Sequence, residues 1–202
     1  MTHITCSFPS YALGTIADFH VILPKQVSLF DRQSLADSCQ VPPEGYPVIF
    51  LLHGAGDCGD DWLLHSRVAD LADQYQMALI MPSIGNSFYL DGVGGVNAYS
   101  YITEELLTYA RSIFPLSKSR EHIYLCGYSM GGYGAVRMGL LRPDLYRKVI
   151  SLSGALDIKF AACYFKSCGY ALPGDIPDLN SLRSTDVDIN YCLNSLSTSP
   201  DE

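Results

Sequence analysis

The sequence is short of positive charge and of long apolar runs. Thirteen Lys and Arg stand against 21 Asp and Glu, a formal net charge of −8, and no basic cluster occurs. Phosphate backbones are held by clustered Lys and Arg, so nucleic acid is excluded as a partner. No stretch approaches the roughly 18 apolar residues that a membrane helix needs, and Met1 to Pro9 has neither the basic nor the apolar segment of a secretion signal. We therefore expect no membrane association and a cytoplasmic protein. The seven cysteines, an odd number at irregular spacings, fit reduced thiols better than a disulfide framework. Cys163 and Cys168 are close but lack zinc-ligand spacing. Apolar content, by contrast, is ample: 48% hydrophobic residues in 202 suffice for one substantial core, so residues 1–202 form a single domain.

Ile123-Tyr124-Leu125-Cys126-Gly127-Tyr128-Ser129-Met130-Gly131-Gly132-Tyr133-Gly134-Ala135 reads as a buried strand, a sharp turn and a helix. The Gly-x-Ser-x-Gly pattern at its centre is that of a nucleophile elbow. Side chains at Gly127 and Gly131 would collide with neighbouring backbone, and the turn lifts Ser129 into the open. A helix N-terminus leaves backbone N–H groups unpaired, which places the amide of Met130 where an oxyanion forms. Upstream, the apolar run Val48 to Leu52 is a strand covered on both faces, and His53-Gly54-Ala55-Gly56-Asp57 follows it at once. We assign the second oxyanion donor to the backbone N–H of Ala55.

The remaining chain supplies the scaffold. Ile4 to Phe8 and Phe19 to Leu23 are expected to be antiparallel strands, and 25–46 a surface loop. Asp60 or Asp61 is expected to cap a helix burying Leu64, Val68, Leu71 and Tyr75; Asp61 and His65, one turn apart, read as a solvated pair rather than metal ligands. Met77 to Met81 is a buried strand ended by Pro82. Residues 83–96 mix Gly with Phe88, Tyr89 and Leu90; Gly92-Val93-Gly94-Gly95 lacks nucleotide-loop spacing, and a mobile aromatic loop beside the active site is expected. Asn97 opens a helix with the core stripe Ala98, Ile102, Leu106, Tyr109 and Ile113. Lys148 to Ser153 is a further strand, and 155–202 an irregular segment. Strands alternating with helices specify a mostly parallel sheet with helices on both faces, its active centre at the strands' carboxyl ends.

From about Ile4 to Leu196 the chain resembles the esterase D family of α/β-hydrolases, most closely its tributyrin-esterase-like branch. The resemblance is carried by Leu51-Leu52-His53-Gly54-Ala55-Gly56-Asp57 with Asp61-Trp62, by Gly127 to Ala135, and by Ser153-Gly154-Ala155-Leu156. It implies a serine carboxylesterase acting on short acyl esters, with sugar or feruloyl ester deacylation and acyl transfer as alternatives. It implies no metal or organic cofactor and a small-molecule ester as partner.

One departure is informative. A serine nucleophile needs a base within hydrogen-bond reach, and in this fold an acid and then a histidine follow the serine. No histidine follows Ser129. Family members continue with two more strands bearing these groups, so the resemblance implies a domain lacking its last strands, and the alternative of a non-catalytic ester-binding module. His122 begins the elbow strand at the wrong end; His53 is the one stand-in for the base, although a histidine there more often braces the oxyanion loop. Asp157, Asp175, Asp178, Asp186 and Asp188 lack the strand-then-loop context of a triad acid. Without further strands the edge at Val149, Ile150 and Leu152 is expected to be exposed, favouring aggregation or a homodimer.

Overall fold

The computed structural model describes residues 1–24, 41–167 and 185–197. Most of the expected 25–46 loop, together with Cys168, Asp175 and Asp178, lies outside these residues. In chain order the elements that build the fold are β1 (Thr2–Ser10), β2 (Thr15–Leu23), β3 (Val48–Leu52), α1 (Gly59–Leu64), α2 (Val68–Tyr75), β4 (Ala78–Ser83) and the short hairpin β5 (Asp91–Val93) with β6 (Val96–Asn97). A long helix α3 (98–113) follows, then β7 (Ile123–Tyr128), α4 (Met130–Leu141), β8 (Lys148–Leu152), α5 (Ile158–Ser167) and α6 (Ile189–Ser197).

Six strands form one sheet in the order β1-β2-β4-β3-β7-β8. β1 and β2 are antiparallel to each other and β2 to β4, whereas β4, β3, β7 and β8 run parallel. The parallel strands are apolar on both faces because both are covered. Val48, Phe50, Leu52, Ile80 and Leu125 pack with α3 and α4, while Leu51, Leu79, Met81 and Cys126 pack with Trp62 of α1 and Ala72 of α2.

Several local expectations are corrected. The helix from Asp60 is two helices: Ser66 donates its hydroxyl to the Trp62 carbonyl and accepts the Val68 N–H, breaking the chain between them. The break changes the helical phase. Leu64, Leu71 and Tyr75 are therefore 73%, 46% and 65% exposed, with Trp62 and Ala72 buried in their place. Cys58, not an aspartate, is the N-cap, and the Asp61 carboxylate accepts its N–H at 2.7 Å. β4 continues through Pro82, which lies opposite Phe19 in the antiparallel ladder. In α3, Tyr101–Leu106 is π-helical, and this wider turn rotates the stripe so that Tyr101, Leu107 and Ala110 are buried and Ile113 is 52% exposed. Residues 155–202 are not wholly irregular, since they contain α5 and α6.

β8 ends the sheet, and among the described residues no strand pairs with its outer side. Val149, Ile150 and Leu152 are 37%, 43% and 46% exposed, as expected of this edge.

Candidate active site

β7 delivers the chain to Ser129, which has φ 53° and ψ −116° and stands at the N-cap position of α4. That left-handed backbone is costly for any residue with a Cβ. Serine is a favoured N-cap because its hydroxyl satisfies a helix N–H, yet Ser129 makes no such cap bond. The strained turn is held by its surroundings. Ser129 donates its N–H to the Leu152 carbonyl at 3.1 Å, and its carbonyl accepts from Tyr133 (3.1 Å) and Ala155 (3.0 Å). Leu152 and Ala155 thus position the elbow, a role for the Ser153–Leu156 segment that its sequence did not declare.

The glycines of the motif are explained by close approach. A Cβ on Gly127 would lie 2.2 Å from the Gly131 carbonyl oxygen, and one on Gly131 would lie 2.3 Å from the Leu52 carbonyl oxygen. Backbone touches backbone there, so only glycine fits. A Cβ on Gly134 would strike the Tyr89 ring at 2.7 Å.

The loop after β3 is built as a brace. His53 is fully buried; its Nδ1 lies 2.7 Å from the Gly54 carbonyl and its Nε2 lies 3.1 Å from the Ile84 amide. A carbonyl only accepts and an amide N–H only donates, so the ring is neutral with its proton on Nδ1. Burial depresses its pKa below the ordinary imidazole value. Both nitrogens are engaged, and His53 is therefore a brace between the ends of β3 and β4 and not a base for Ser129. Around Ala55, Asp57 donates its N–H to the Gly54 carbonyl (3.3 Å) and Gly56 donates to Asn86 Oδ1 (2.8 Å), fixing the turn on both sides.

Two tyrosines that the sequence did not single out join this loop to its neighbours. Tyr128 donates its hydroxyl to Asp57 Oδ2 at 2.6 Å, bridging the elbow and the His-Gly loop, and its ring packs edge-on against Trp62 at 5.1 Å. Burial and the Asp57 contact both raise the Tyr128 pKa, keeping the phenol protonated as donor. Tyr89 donates to the His53 carbonyl at 3.0 Å. Phe88, Tyr89 and Leu90, expected in a mobile loop, are instead at most 4% exposed, because the loop turns inward through positive φ at Phe88 and Tyr89. A cavity of about 410 Å³ lies beside the elbow, lined by Asp57, Asp61, Trp62, His65, Tyr128 and Leu152 among others.

The other sequence candidates fall elsewhere. Asp157 accepts the amides of Lys159 and Phe160, and Asp188 that of Asn190, so each caps a helix. Asp186 pairs with Arg137. His122 precedes β7, at the end of the strand remote from Ser129, with Nδ1 3.0 Å from Ser117 Oγ. Asp61 and His65 pair at 3.5 Å, the latter exposed. Among the described residues Cys6, Cys58, Cys126, Cys163 and Cys192 are free thiols.

A serine at a strand-to-helix elbow on a parallel sheet, facing a His-Gly turn from the adjacent strand, is the arrangement of the α/β-hydrolases. Residues 36–183 match the family described as "Putative esterase", and the chain belongs to that esterase family. It is 36% identical over 163 residues to an acetyl esterase of Caldicellulosiruptor saccharolyticus, a match covering 77% of this chain and 61% of the relative. It superimposes on a fluorophosphonate-binding serine hydrolase of Staphylococcus aureus with TM-score 0.76 and 27% identity, covering 97% of this chain and 73% of that one. An S-formylglutathione hydrolase of the same organism gives TM-score 0.77 and 28% identity, covering 97% and 74%. The chain thus spans about three-fifths of the acetyl esterase and three-quarters of the two solved hydrolases. Among the described residues no helix is long and apolar enough to cross a membrane.

Proposed function

We propose that the chain carries the nucleophile and the oxyanion hole of a serine carboxylesterase, and that its substrates are short acyl esters of the kind taken by the tributyrin-esterase-like branch. The observation that carries this reading is the left-handed backbone of Ser129 at a helix N-terminus without a cap bond, where the side chain gains nothing for the helix. In this reading Ser129 Oγ attacks the ester carbonyl, and the N–H groups of Met130 and Ala55 hold the developing oxyanion. The ester oxygen leaves as the alcohol, and water releases the acyl group. Met130 is the first helical residue, so its N–H has no acceptor within the helix. The similarity to the acetyl esterase favours a small acyl group. The cytoplasmic setting rests on the odd number and irregular spacing of the seven cysteines.

The base is the group these residues do not provide. His53 is committed at both nitrogens, and no histidine follows Ser129 in the sequence. A second reading, of residues 1–202 taken alone, is ester binding without turnover. The 202-residue chain is expected to hydrolyse p-nitrophenyl acetate on the order of 10³-fold or more below the rate of a relative with a complete triad. Turnover at a full rate that His53→Ala abolishes would overturn this assignment. The nucleophile position is tested separately by Ser129→Cys at mildly alkaline pH, since a thiol ionises without a base. Position 129 should be acetylated by p-nitrophenyl acetate faster than exposed Cys163, as mapped by peptide mass spectrometry; equal or slower labelling would refute the oxyanion geometry.

A further inference from the structure

Across β1 and β2, separated from β7 by β4 and β3, two imidazoles point at each other. His3 Nε2 lies 3.1 Å from His20 Nδ1, and Thr5 Oγ1 lies 3.2 Å from the same His20 nitrogen. The ring centroids are 5.2 Å apart. His20 is buried, whereas His3 is at the surface. On the far side of the His20 ring, Nε2 lies 2.8 Å from Asp60 Oδ1 at the start of α1. The carboxylate accepts, so the Nε2 atom carries the proton and Nδ1 presents a bare lone pair toward His3.

From this geometry we propose that His3 and His20 form a binding site for a borderline transition-metal ion, Zn²⁺ or its chemical neighbours Co²⁺ and Ni²⁺. A histidine that ligates a metal characteristically donates its other ring N–H to a carboxylate, which fixes the tautomer and raises the ligand's basicity; Asp60 supplies that carboxylate. Two nitrogens each about 2.05 Å from one tetrahedral ion lie about 3.3 Å apart, so the 3.1 Å separation needs an opening of a few tenths of an ångström, and each ring turns by about 35° so that the two lone pairs converge on the ion and not on each other. The His3 ring takes its Nδ1–H tautomer when bound, turning its Nε2 lone pair on the ion. Among the described residues no three His, Cys, Asp or Glu side chains converge on one point. The site is therefore an open one, with Thr5 Oγ1 or water in the remaining positions. Imidazole nitrogens select such ions over Mg²⁺ and Ca²⁺, which prefer oxygen.

The test is titration calorimetry of the untagged 202-residue chain with ZnCl₂, at a pH above the ordinary imidazole pKa of about 6.5, with Co²⁺ absorption reporting nitrogen coordination. One saturable site is expected, weakened about 10-fold or more by His3→Ala and by His20→Gln, and about 10-fold by Asp60→Asn. His65→Ala should leave it unchanged. The absence of a saturable site, or wild-type affinity in His3→Ala, would overturn the proposal. His3 is exposed, so that variant folds and decides the matter even where the buried His20 position does not tolerate change. Should folded His20→Gln retain wild-type affinity while His3→Ala loses it, the ion is held by His3 with the amino terminus, and the pair is not the site.

Discussion

The two edges of the sheet are finished differently. β1 turns Thr2, His3, Thr5, Ser7 and Pro9 to solvent and sends Phe8 into the core, where it stacks on Tyr109 with centroids 3.9 Å apart. Proline and polar side chains are how a sheet edge avoids pairing with other chains. β8 does the reverse, leaving Val149, Ile150 and Leu152 in contact with water. Its attachment is one-sided: it pairs with β7 and packs on α4, where Gly139 meets Val149. One edge is patterned as a surface and the other as an interior.

This contrast predicts where substitutions hurt. Between the edges, beside the elbow, Gly131→Ala drives a methyl group into the Leu52 carbonyl and should cost about 4 kcal/mol or more, measured by urea unfolding, well above any change at either edge. Next, Phe8→Ala on the β1 side should cost about 3 kcal/mol, whereas Ile150→Ala on β8 should cost less than about 1 kcal/mol. Equal losses would show that the β8 edge is as well packed as the other.

Acid should act through the braced centre. The folded state holds His53 neutral with a depressed pKa, so below about pH 6.5 the unfolded chain binds a proton that the folded chain resists. The stability contribution is present above that pH and is lost as pH falls. Urea midpoints between pH 7.5 and 5 should therefore decline less in His53→Gln than in the parent chain. The smallest stability effect is expected from Ile150→Lys with Leu152→Lys, yet light scattering should show reduced self-association; a parent chain that is already monomeric would remove the contrast between the edges.

The central architecture was legible because its signals are local. Val48 to Leu52 is continuous apolar sequence, and the glycines around Ser129 mark contacts that only a missing Cβ permits. What was not legible depended on phase and on distant partners. A hydroxyl at Ser66 split one amphipathic pattern into two helices, and a π-helical turn at Tyr101–Leu106 displaced the α3 stripe. Residues 83–96 read as a mobile loop because glycines are interleaved with Phe88, Tyr89 and Leu90; Phe88 and Tyr89 do lie in a loop, but the packing of Tyr89 on Gly134 and its bond to His53 bury it, and those partners are distant in sequence. At the site, the elbow and the His-Gly turn could be read in advance, but the Tyr128–Asp57 bond joins residues 71 positions apart and has no sequence signature.

The backbone of Ser129 also sets a cost on having a side chain at this position. Glycine adopts φ 53° freely, and the serine hydroxyl returns no cap bond to the helix. Ser129→Gly would therefore yield a more stable fold, by about 1 kcal/mol. Drift under selection for stability alone leads toward glycine at this position. The serine thus costs the fold stability, and what it offers in return is a hydroxyl left free of the helix.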